Sequence, residues 1–256
     1  MKQYALVTGA SKGIGKEIAI QLAAKGFNLM LVSRSETELQ QIVPDLEKYS
    51  VTASYLACDL SLPQAAQQVS DWVNLQTKEL SVVVNNAGFG IWGGFKDLPL
   101  RTQMEMLQLN INAVVELSHQ LLPLLLQQKQ AYLMNVASTA AYQAMPTMAL
   151  YAASKSFVLS FTRALRYELK DTNVSVSCLS PGPTDTAFAS RAGLDAFADL
   201  AAKFNMSAAL VASMALKGMF NKKAEILPGF LNKVSAIGAT LLPKSLIERI
   251  SAGIYK

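Results

Sequence analysis

Two side chains that stand four positions apart carry the most specific chemical signal in this sequence. Tyr151 and Lys155 occur in the run Y-A-A-S-K, and residues i and i+4 of a helix share one face. A phenol titrates at a pH of about 10, but a cation beside it favours the phenolate and lowers its pKa toward neutral pH. The pair is therefore a plausible proton-transfer device, and Asn110 and Ser138 are candidate partners from earlier in the chain.

The composition is that of a folded chain with ample material for a core. Of 256 residues, 51% are hydrophobic and 16% are charged, which fits one large domain or two small ones. The net charge is +5 and the basic residues are scattered, so we expect no nucleic-acid binding. We also expect no signal peptide and no membrane-spanning helix, because no apolar run reaches about 18 residues.

Cysteine and histidine usage argues against disulfide and metal chemistry. Cys58 and Cys178 lie in apolar, strand-like segments, so we interpret them as reduced core residues of a cytoplasmic protein. His119 is the only histidine, so we expect no metal site, and a Ser-His-Asp triad would have to use it. Its apolar, helical surroundings favour a packed or interfacial histidine.

Short apolar runs alternate with longer helical patterns along the chain. Continuous apolar runs are typical of strands that are covered on both faces. The alternation predicts an α/β fold: a single-domain, doubly wound parallel sheet of about seven strands, Rossmann-like and flanked by helices. The predicted strands are Tyr4–Val7, Asn28–Val32, Ala53–Cys58, Val82–Asn85, Tyr132–Val136, Val174–Leu179 and Ala224–Leu227, and the predicted helices include Gly15–Lys25 and Tyr151–Lys170.

A glycine cluster follows the first predicted strand. Gly9, Gly13 and Gly15 permit a tight turn and a close backbone approach to a pyrophosphate. The helix that follows would offer free N–H groups and the positive end of its dipole to a phosphate. Glycine turns are common, but this position, after the first strand and opening a helix, favours dinucleotide binding.

The end of the second predicted strand indicates which dinucleotide binds. A site for NAD(H) usually offers a carboxylate to the ribose 2′-OH there, whereas this chain has Ser33-Arg34. Arg34 can pair with a 2′-phosphate, and Lys12 can add a second cation. NADP(H) is therefore favoured over NAD(H). The alternative is that Arg34 is only a solvated residue at the start of a helix.

Seven motifs in order and in register resemble the short-chain dehydrogenase/reductase family over about residues 4 to 190. No catalytic position departs from the family pattern. The motifs are T-G-x-x-x-G-x-G at Thr8–Gly15, Asp59 in C-D-L, Asn85-Asn86-Ala87-Gly88, Asn110 in N-x-x-A, Ser138 in N-V-A-S, Tyr151-x-x-x-Lys155, and Pro181-Gly182 followed by Thr184 and Thr186.

The resemblance implies a role for each matching residue. Tyr151 would be the acid and base, Lys155 would lower its pKa and bind the nicotinamide ribose, and Ser138 would bind the substrate oxygen. Asn110, through its helix backbone, would hold a water that links Lys155 to bulk solvent. The implied cofactor-binding residues are Gly9, Ser11, Lys12, Gly13, Ile14, Gly15, Arg34, Asp59, Leu60, Asn86, Ala87, Gly88, Tyr151, Lys155, Pro181, Gly182, Thr184 and Thr186, and the substrate-binding residues are Ser138 and Tyr151.

The segment after Gly88 suggests a lipophilic substrate. Its pattern N-N-A-G-F-G-x-x-G-x-F resembles a bacterial branch of the family that is similar to reductases of long-chain 3-oxoacyl groups and steroids. Its glycines and large apolar residues could form a pliant loop that lines a pocket. Alternatively, Trp92 and Phe95 only pack the loop against the next helix. We expect residues 187–212 to close over the substrate, with Ser207 capping a helix to about Phe220.

The tail 230–256 has apolar residues at roughly helical spacing, interrupted by basic residues. We favour packing on its own domain or on a neighbouring subunit, since amphipathic helices usually face a core. The alternative is an interfacial segment that contacts a membrane or receives a lipid-bearing substrate. The resemblance implies a homodimer or homotetramer, and the apolar stretch Leu117–Leu126, interrupted by Pro123, is compatible with a subunit face.

Three functions are compatible with this pattern. The first is an NADP(H)-dependent carbonyl reductase or alcohol dehydrogenase acting on a small-molecule ketone or alcohol. The second is a catalytically idle NADP(H)-binding regulator, because a fold alone does not imply activity; the complete set Asn110, Ser138, Tyr151 and Lys155 counts against it. The third is an epimerase or dehydratase of nucleotide sugars, which the short C-terminal part disfavours.

Overall fold

Seven parallel strands form the centre of the protein, with helices on both faces. This computed structural model describes residues 3–186, 188, 192–193 and 205–254. The strand order is β3-β2-β1-β4-β5-β6-β9, and every pair is parallel. The predicted doubly wound parallel sheet of about seven strands is therefore confirmed. The strands are β1 (Tyr4–Thr8), β2 (Asn28–Ser33), β3 (Ala53–Ala57), β4 (Leu80–Asn85), β5 (Ala131–Val136), β6 (Val174–Leu179) and β9 (Glu225–Ile226), and a separate pair joins β7 (Thr184–Asp185) to β8 (Met206–Ser207).

The helices alternate with these strands. The helix predicted from Gly15 begins two residues earlier, and the one predicted over Tyr151–Lys170 is displaced by two residues at each end. The helices are α1 (Gly13–Ala23), α2 (Glu36–Glu47), α3 (Ala65–Gln76), α4 (Leu100–Leu107), α5 (Ala113–Leu126), α6 (Ala149–Glu168), α7 (Ala208–Phe220), α8 (Phe230–Leu241) and α9 (Lys244–Ile254). As predicted, Ser207 caps α7 by accepting a hydrogen bond from the backbone N–H of Leu210 at 3.3 Å.

Side chains that alternate along the strands enter two separate cores. Ala5 and Val7 face a core formed with α1, α2 and α7, whereas Leu6 faces a second core formed with α3 and α5. All three side chains are fully buried, as expected for a strand covered on both faces. These two layers hold the carboxyl ends of the strands at one fixed edge.

The run from α4 through α5 is the longest apolar helical stretch of the described residues. By length and composition Leu100–Leu126 could cross a membrane, but 44% of the relevant window is buried inside the protein. Leu117 and Leu121 pack in the core beneath the sheet, so the stretch packs as a core helix does. Pro123 lies inside α5 without ending it. His119 is exposed, so of the two expectations a packed histidine was wrong and an interfacial one stays a prediction.

Candidate active site

The candidate site lies at the carboxyl edge of the sheet, where the strand order reverses between β1 and β4. Open α/β sheets bind ligands in the crevice at such a reversal. The chain leaves β1 into the glycine turn, β4 into Asn86-Ala87-Gly88, and β5 into the segment bearing Ser138. The fold thus brings together three motifs that are far apart in sequence.

The glycine turn is locked to the segment after β4. Gly9 and Gly13 have φ angles of +64° and +55°, a conformation that favours glycine. The hydroxyl of Thr8 accepts hydrogen bonds from the backbone N–H groups of Asn86 and Ala87, each at 3.0 Å. The side-chain amide of Asn86 donates to the carbonyls of Thr8 and Gly9 at 2.9 and 3.2 Å. This lock fixes the turn before α1, whose N-terminus has no side-chain cap.

Asn110 lies in a turn of π-helix between α4 and α5, at Gln108–Asn112. Such wide turns inside helices occur frequently at functional sites. Asn110 is fully buried. Its amide nitrogen donates to the Phe89 carbonyl at 2.9 Å and to the Ser154 hydroxyl at 3.1 Å, and its oxygen accepts from the Phe89 N–H at 3.1 Å. The side chain therefore joins the loop after β4 to the helix that carries Tyr151.

Tyr151 and Lys155 lie on α6, on one buried face, as their spacing predicts. Tyr151 is 7% and Lys155 is 5% exposed. The Lys155 ammonium donates to the carbonyl of Val136 at 2.9 Å and lies 5.9 Å from the centre of the Tyr151 ring. A Cβ atom on Gly88 would lie 3.0 Å from Asn110 Oδ1 and 3.2 Å from Lys155 Nζ. Glycine at position 88 thus lets the backbone reach both groups.

Burial changes the acid-base behaviour of Lys155. Removal from water disfavours the charged ammonium and lowers the pKa of Lys155 from 10.5 to about 8. The single hydrogen bond to Val136 compensates only part of this cost. The lysine is therefore an ionisable group whose charge changes close to the neutral range, directly beside the phenol.

Two polar bridges fix the helices of the site against the sheet. Asn85 at the end of β4 donates to Ser118 of α5 at 3.1 Å and to Asn135 of β5 at 2.9 Å. Asn135 in turn donates to Thr162 of α6 at 3.0 Å. These buried bonds join the two strands that end at the site to the helices that follow Asn110 and bear Tyr151.

Ser138 follows β5 directly and begins a short 3-10 helix, Thr139–Tyr142. Its hydroxyl accepts a hydrogen bond from the N–H of Ala140 at 3.1 Å. Ala140 packs in the same apolar cluster as Tyr151. The structure thus places Ser138 at the same edge of the sheet as the Tyr-Lys pair, half-buried and with a hydroxyl that can donate.

An apolar wall adjoins Tyr151. The Tyr151 and Phe188 rings lie 5.6 Å apart between centres. A Cβ atom on Gly90 would lie 3.1 Å from each of these two rings. Trp92 packs in this wall and Phe95 is 62% exposed, so the loop after Gly88 both lines the site and reaches solvent. The wall consists of Met106, Ala140, Met145, Met148, Tyr151 and Ala152, with Phe89, Ile91, Trp92, Leu150 and Phe188 packed on it.

The residues predicted for the adenosine end lie beside the first three strands. Arg34 follows β2 and is exposed. Lys12, also exposed, forms an ion pair of 2.5 Å with Glu38 of α2. Asp59 follows β3, and its carboxylate accepts from the N–H and hydroxyl of Ser61 at 3.0 and 2.7 Å. Other predicted residues lie nearby: Ser11 and Ile14 are half-buried in the turn, and Leu60 is buried.

The segment predicted for the nicotinamide side follows β6. Its start is tied to the segment bearing Ser138, because the N–H of Thr139 donates to the carbonyl of Pro181 at 2.9 Å. Thr184 donates to Gly182 at 3.0 Å. A Cβ atom on Gly13 would lie 2.8 Å from the Thr186 methyl group, so this segment reaches the glycine turn. The predicted closing segment 187–212 lies mostly outside the described residues, apart from Phe188, 192–193 and 205–212.

The sequence profile of the short chain dehydrogenases matches residues 3–196, which include all four catalytic candidates. This protein belongs to the short-chain dehydrogenase family. The expected resemblance is thereby confirmed. Over 180 residues this short-chain dehydrogenase is 32% identical to a very-long-chain 3-oxoacyl-CoA reductase of Laccaria bicolor, with 69% of this chain and 53% of the relative covered. The chain spans about half the length of the curated relatives that it matches first.

Solved structures of the family share this fold. A short-chain dehydrogenase from Sphingobium yanoikuyae in complex with NADPH is 26% identical, with a TM-score of 0.83 and 92% of each chain covered. A short-chain dehydrogenase/reductase from Burkholderia phymatum in complex with NAD is 24% identical, with a TM-score of 0.84 and the same coverage. Both likenesses show the shared fold, and the more similar of these two proteins in sequence was solved with NADPH.

The structure adds groups that the motifs did not indicate. Ser154 is fully buried; it accepts from Asn110 and donates to the carbonyl of Tyr151 at 2.7 Å. The sequence signal for this bond is the spacing, because a serine in a helix can donate its hydroxyl to the backbone carbonyl three or four residues earlier. Phe188 lies in the predicted closing segment, but its contact with Tyr151 could not be predicted from sequence, because the two rings meet only through tertiary packing. Within the described ranges, no group of three His, Cys, Asp or Glu side chains could hold a metal ion.

Proposed function

We propose that this protein is an NADP(H)-dependent carbonyl reductase or alcohol dehydrogenase for a lipophilic ketone or alcohol, with Tyr151 as the acid and base. One observation carries the proposal: the backbone at Gly88, the Lys155 ammonium and the Asn110 amide meet beside Tyr151. Their meeting point is the carboxyl edge of the sheet, at the strand reversal where this fold binds its ligands.

The residues present fit a nicotinamide dinucleotide. Gly9 and Gly13 have no side chain and adopt positive φ angles, which permits a close backbone approach to a pyrophosphate, and the uncapped N-terminus of α1 offers N–H donors. Because Gly88 has no side chain, no Cβ atom stands 3.2 Å from the Lys155 ammonium, and ribose hydroxyls could accept the remaining protons of this group. When bound, the nicotinamide supplies or accepts the hydride.

Tyr151 and Ser138 would manage the charge on the substrate oxygen. In reduction, negative charge develops on that oxygen, and preorganised donors aimed at it are worth about 3 kcal/mol each. Ser138 accepts from Ala140, which leaves its hydroxyl hydrogen for the substrate. Tyr151 gives up its proton as the alkoxide forms, and the Lys155 ammonium stabilises the phenolate.

Asn110 would act as a positioning residue. Its side chain is fully engaged by Phe89 and Ser154, so it holds the loop and the helix at a fixed distance. A water that supplies protons to Lys155 would then be held by the backbone of the π turn rather than by this amide. This assignment agrees with the role that the family resemblance implies.

Arg34 supports NADP(H) as the cofactor. It is exposed at the carboxyl end of β2, where a guanidinium can form charge-assisted hydrogen bonds with a 2′-phosphate. Lys12 is paired with Glu38, so Arg34 is the stronger candidate. Titration of the purified protein with NADPH and NADH should show at least tenfold tighter binding of NADPH. A tenfold preference for NADH would overturn the cofactor assignment.

The apolar wall supports a lipophilic substrate. Phe89, Ile91, Trp92, Met148 and Phe188 adjoin Tyr151, and each buried methylene is worth about 0.8 kcal/mol, or about fourfold in kcat/KM. A series of 3-oxoacyl thioesters or methyl ketones of increasing alkyl length should therefore show rising kcat/KM, followed as NADPH absorbance. A kcat/KM that stays constant or falls with alkyl length would refute the assignment of a lipophilic substrate. If no carbonyl compound is turned over, the alternative of a catalytically idle NADP(H)-binding regulator would be favoured.

We further propose a cytoplasmic homodimer or homotetramer. Both cysteines are buried and free, which fits a reducing compartment. Leu100, Met104 and Phe157 are 66%, 54% and 42% exposed, on the helices that flank Asn110 and carry Tyr151. Apolar side chains of this size on neighbouring helices fit a subunit face. Light scattering after gel filtration would measure the mass, and a monomer at micromolar concentration would contradict this assignment.

A further inference from the structure

Helix α8 turns its apolar face outward. Phe230, Val234, Ile237 and Leu241 recur at spacings of four, three and four residues, so they share one face of the helix. These side chains are 79%, 51%, 53% and 78% exposed. Amphipathic helices of globular proteins usually direct such a stripe toward the core. The stripe of α8 is therefore left uncovered by the part of the chain that the structure describes.

The outward orientation of α8 is fixed by the opposite face of the helix. Ala236 is its only fully buried residue. Asn232 lies one turn earlier on the same inner face, so close to Gly182 that a Cβ atom there would overlap its side-chain amide. The helix is thus seated on the segment after β6 by small and polar residues. From sequence we favoured packing on the chain's own domain or on a neighbouring subunit. The first of these was wrong for the apolar residues of α8, and the second stays a prediction.

The exposed apolar surface continues past the end of α8. Leu242, Leu246 and Ile250 are 45%, 44% and 49% exposed, whereas Ile247 and Ser251 are the buried residues of α9. We term seven of the exposed apolar side chains of α8, α9 and their junction the C-terminal surface. Large exposed apolar patches on folded proteins mark interaction sites. The C-terminal surface comprises Phe230, Val234, Ile237, Leu241, Leu242, Leu246 and Ile250.

The charges beside this surface identify the partner. Lys233, Lys244 and Arg249 are exposed on the same two helices, and Glu248 is the only acidic residue of 230–254. A second copy meeting this surface by twofold symmetry would bring six such positive charges together, with only two carboxylates, one from each copy, to offset them. An anionic lipid headgroup layer instead complements the basic side chains, while acyl chains accept the apolar ones.

We propose that the C-terminal surface docks this protein on an anionic phospholipid bilayer. Phe230, Leu241 and their neighbours enter the boundary between headgroups and acyl chains, and Lys233, Lys244 and Arg249 contact the phosphates. Because α8 is seated on Gly182, beside the predicted nicotinamide side of the site, docking places the site close to the bilayer. The docking itself rests on the surface alone and stands whether or not the proposed reaction is correct.

Vesicle flotation of the full chain tests this proposal. Wild-type protein should float with vesicles of phosphatidylcholine and phosphatidylglycerol, and less at high salt or with phosphatidylcholine alone. Ile237→Asn combined with Leu241→Asn should lower the bound fraction about tenfold. Lys233→Glu should weaken binding to the anionic vesicles only. Leu75→Asn is the matched control, because Leu75 is 85% exposed on α3, and it should float as wild type does.

Two results would overturn the proposal. One is equal flotation of the wild-type protein and the double variant, with circular dichroism showing that both are folded. The other is a concentration-dependent dimer in sedimentation without vesicles that the double variant abolishes, since a second copy would then cover the surface. NADPH binding measured on the same samples separates a docking defect from a damaged site.

Discussion

Replacing Lys155 with methionine is expected to stabilise the cofactor-free protein at neutral pH while abolishing its chemistry. The ammonium of Lys155 is 5% exposed and has one described hydrogen bond, to Val136. Burial lowers the pKa of Lys155 from 10.5 to about 8. Methionine keeps the long apolar stem and removes the charge, so the folded state no longer holds a poorly solvated cation.

The magnitude follows from the fall in pKa. At about 1.4 kcal/mol for each tenfold change in proton affinity, the lowered pKa of Lys155 corresponds to about 3 kcal/mol of lost stability at pH 7. Loss of the hydrogen bond to Val136 offsets about 1 kcal/mol, so the variant should gain about 2 kcal/mol. Between pH 8 and 10.5 the unfolded chain binds more protons than the folded chain, so wild-type stability rises with pH. The penalty is complete below pH 8 and disappears above 10.5.

Urea unfolding of both proteins without cofactor at pH 7 and at about pH 10 measures this effect. The advantage of Lys155→Met should fall from about 2 kcal/mol to near zero, because the wild-type lysine loses its proton. Lys129→Met is the matched control; this lysine is exposed, so the change should stay within about 0.5 kcal/mol at both pH values. A variant less stable than wild type at pH 7, or an advantage independent of pH, would refute the reasoning.

Three further substitutions test other parts of the site. Gly15→Ala should lower the free energy of unfolding by about 3 kcal/mol, because its Cβ would overlap a backbone carbonyl of the turn. The control Gly238→Ala, in open space on α8, should raise the free energy of unfolding by up to about 1 kcal/mol. Similar effects of the two substitutions in urea unfolding would contradict this prediction. Ser154→Ala should lower kcat about tenfold with little change in KM, since Asn110 loses an anchor; unchanged kcat would remove its positioning role. Arg34→Ala should weaken NADPH binding at least tenfold in calorimetry and leave NADH binding unchanged, so equal losses for both cofactors would exclude a 2′-phosphate contact.

The sheet could be predicted from sequence because its strands are buried on both faces. Continuous apolar runs mark such strands, and all seven predicted runs lie in the sheet. The observed strand ends differ from the predicted ones where strand pairing, rather than composition, sets the end of a strand. β4 begins at Leu80 rather than Val82, and β9 covers only Glu225–Ile226. The small pair of β7 and β8 was missed because Thr184 and Met206 pair across a long stretch of chain.

The site could be predicted from sequence where the spacing of residues within one helix or turn determines their relative positions. Four positions on a helix place Tyr151 and Lys155 together, and a turn after the first strand places the glycines. The π turn around Asn110 was not predictable, because nothing in its sequence distinguishes it from an α-helical turn. The ion pair between Lys12 and Glu38 was missed for a similar reason, since it joins two elements.

Hydrophobic spacing predicted only part of the structure of the tail 230–256. The apolar spacing predicted helical structure over 230–256, but it could not tell which way the apolar face points. Ala236, which is buried, and Asn232, which lies against Gly182, decide this. The break between α8 and α9 falls at Leu242-Pro243, where proline disfavours helical backbone at the residue before it.

Single-turnover reduction of a lipophilic ketone by wild-type protein and by Tyr151→Phe tests the central claim most directly. The phenylalanine ring keeps the packing against Phe188 and removes only the hydroxyl. We predict that NADPH binds both proteins within about threefold, whereas the rate of hydride transfer falls at least about 100-fold, the lower range for a general acid. Hydride transfer at the wild-type rate in Tyr151→Phe would contradict the account, because the proton would then come from elsewhere.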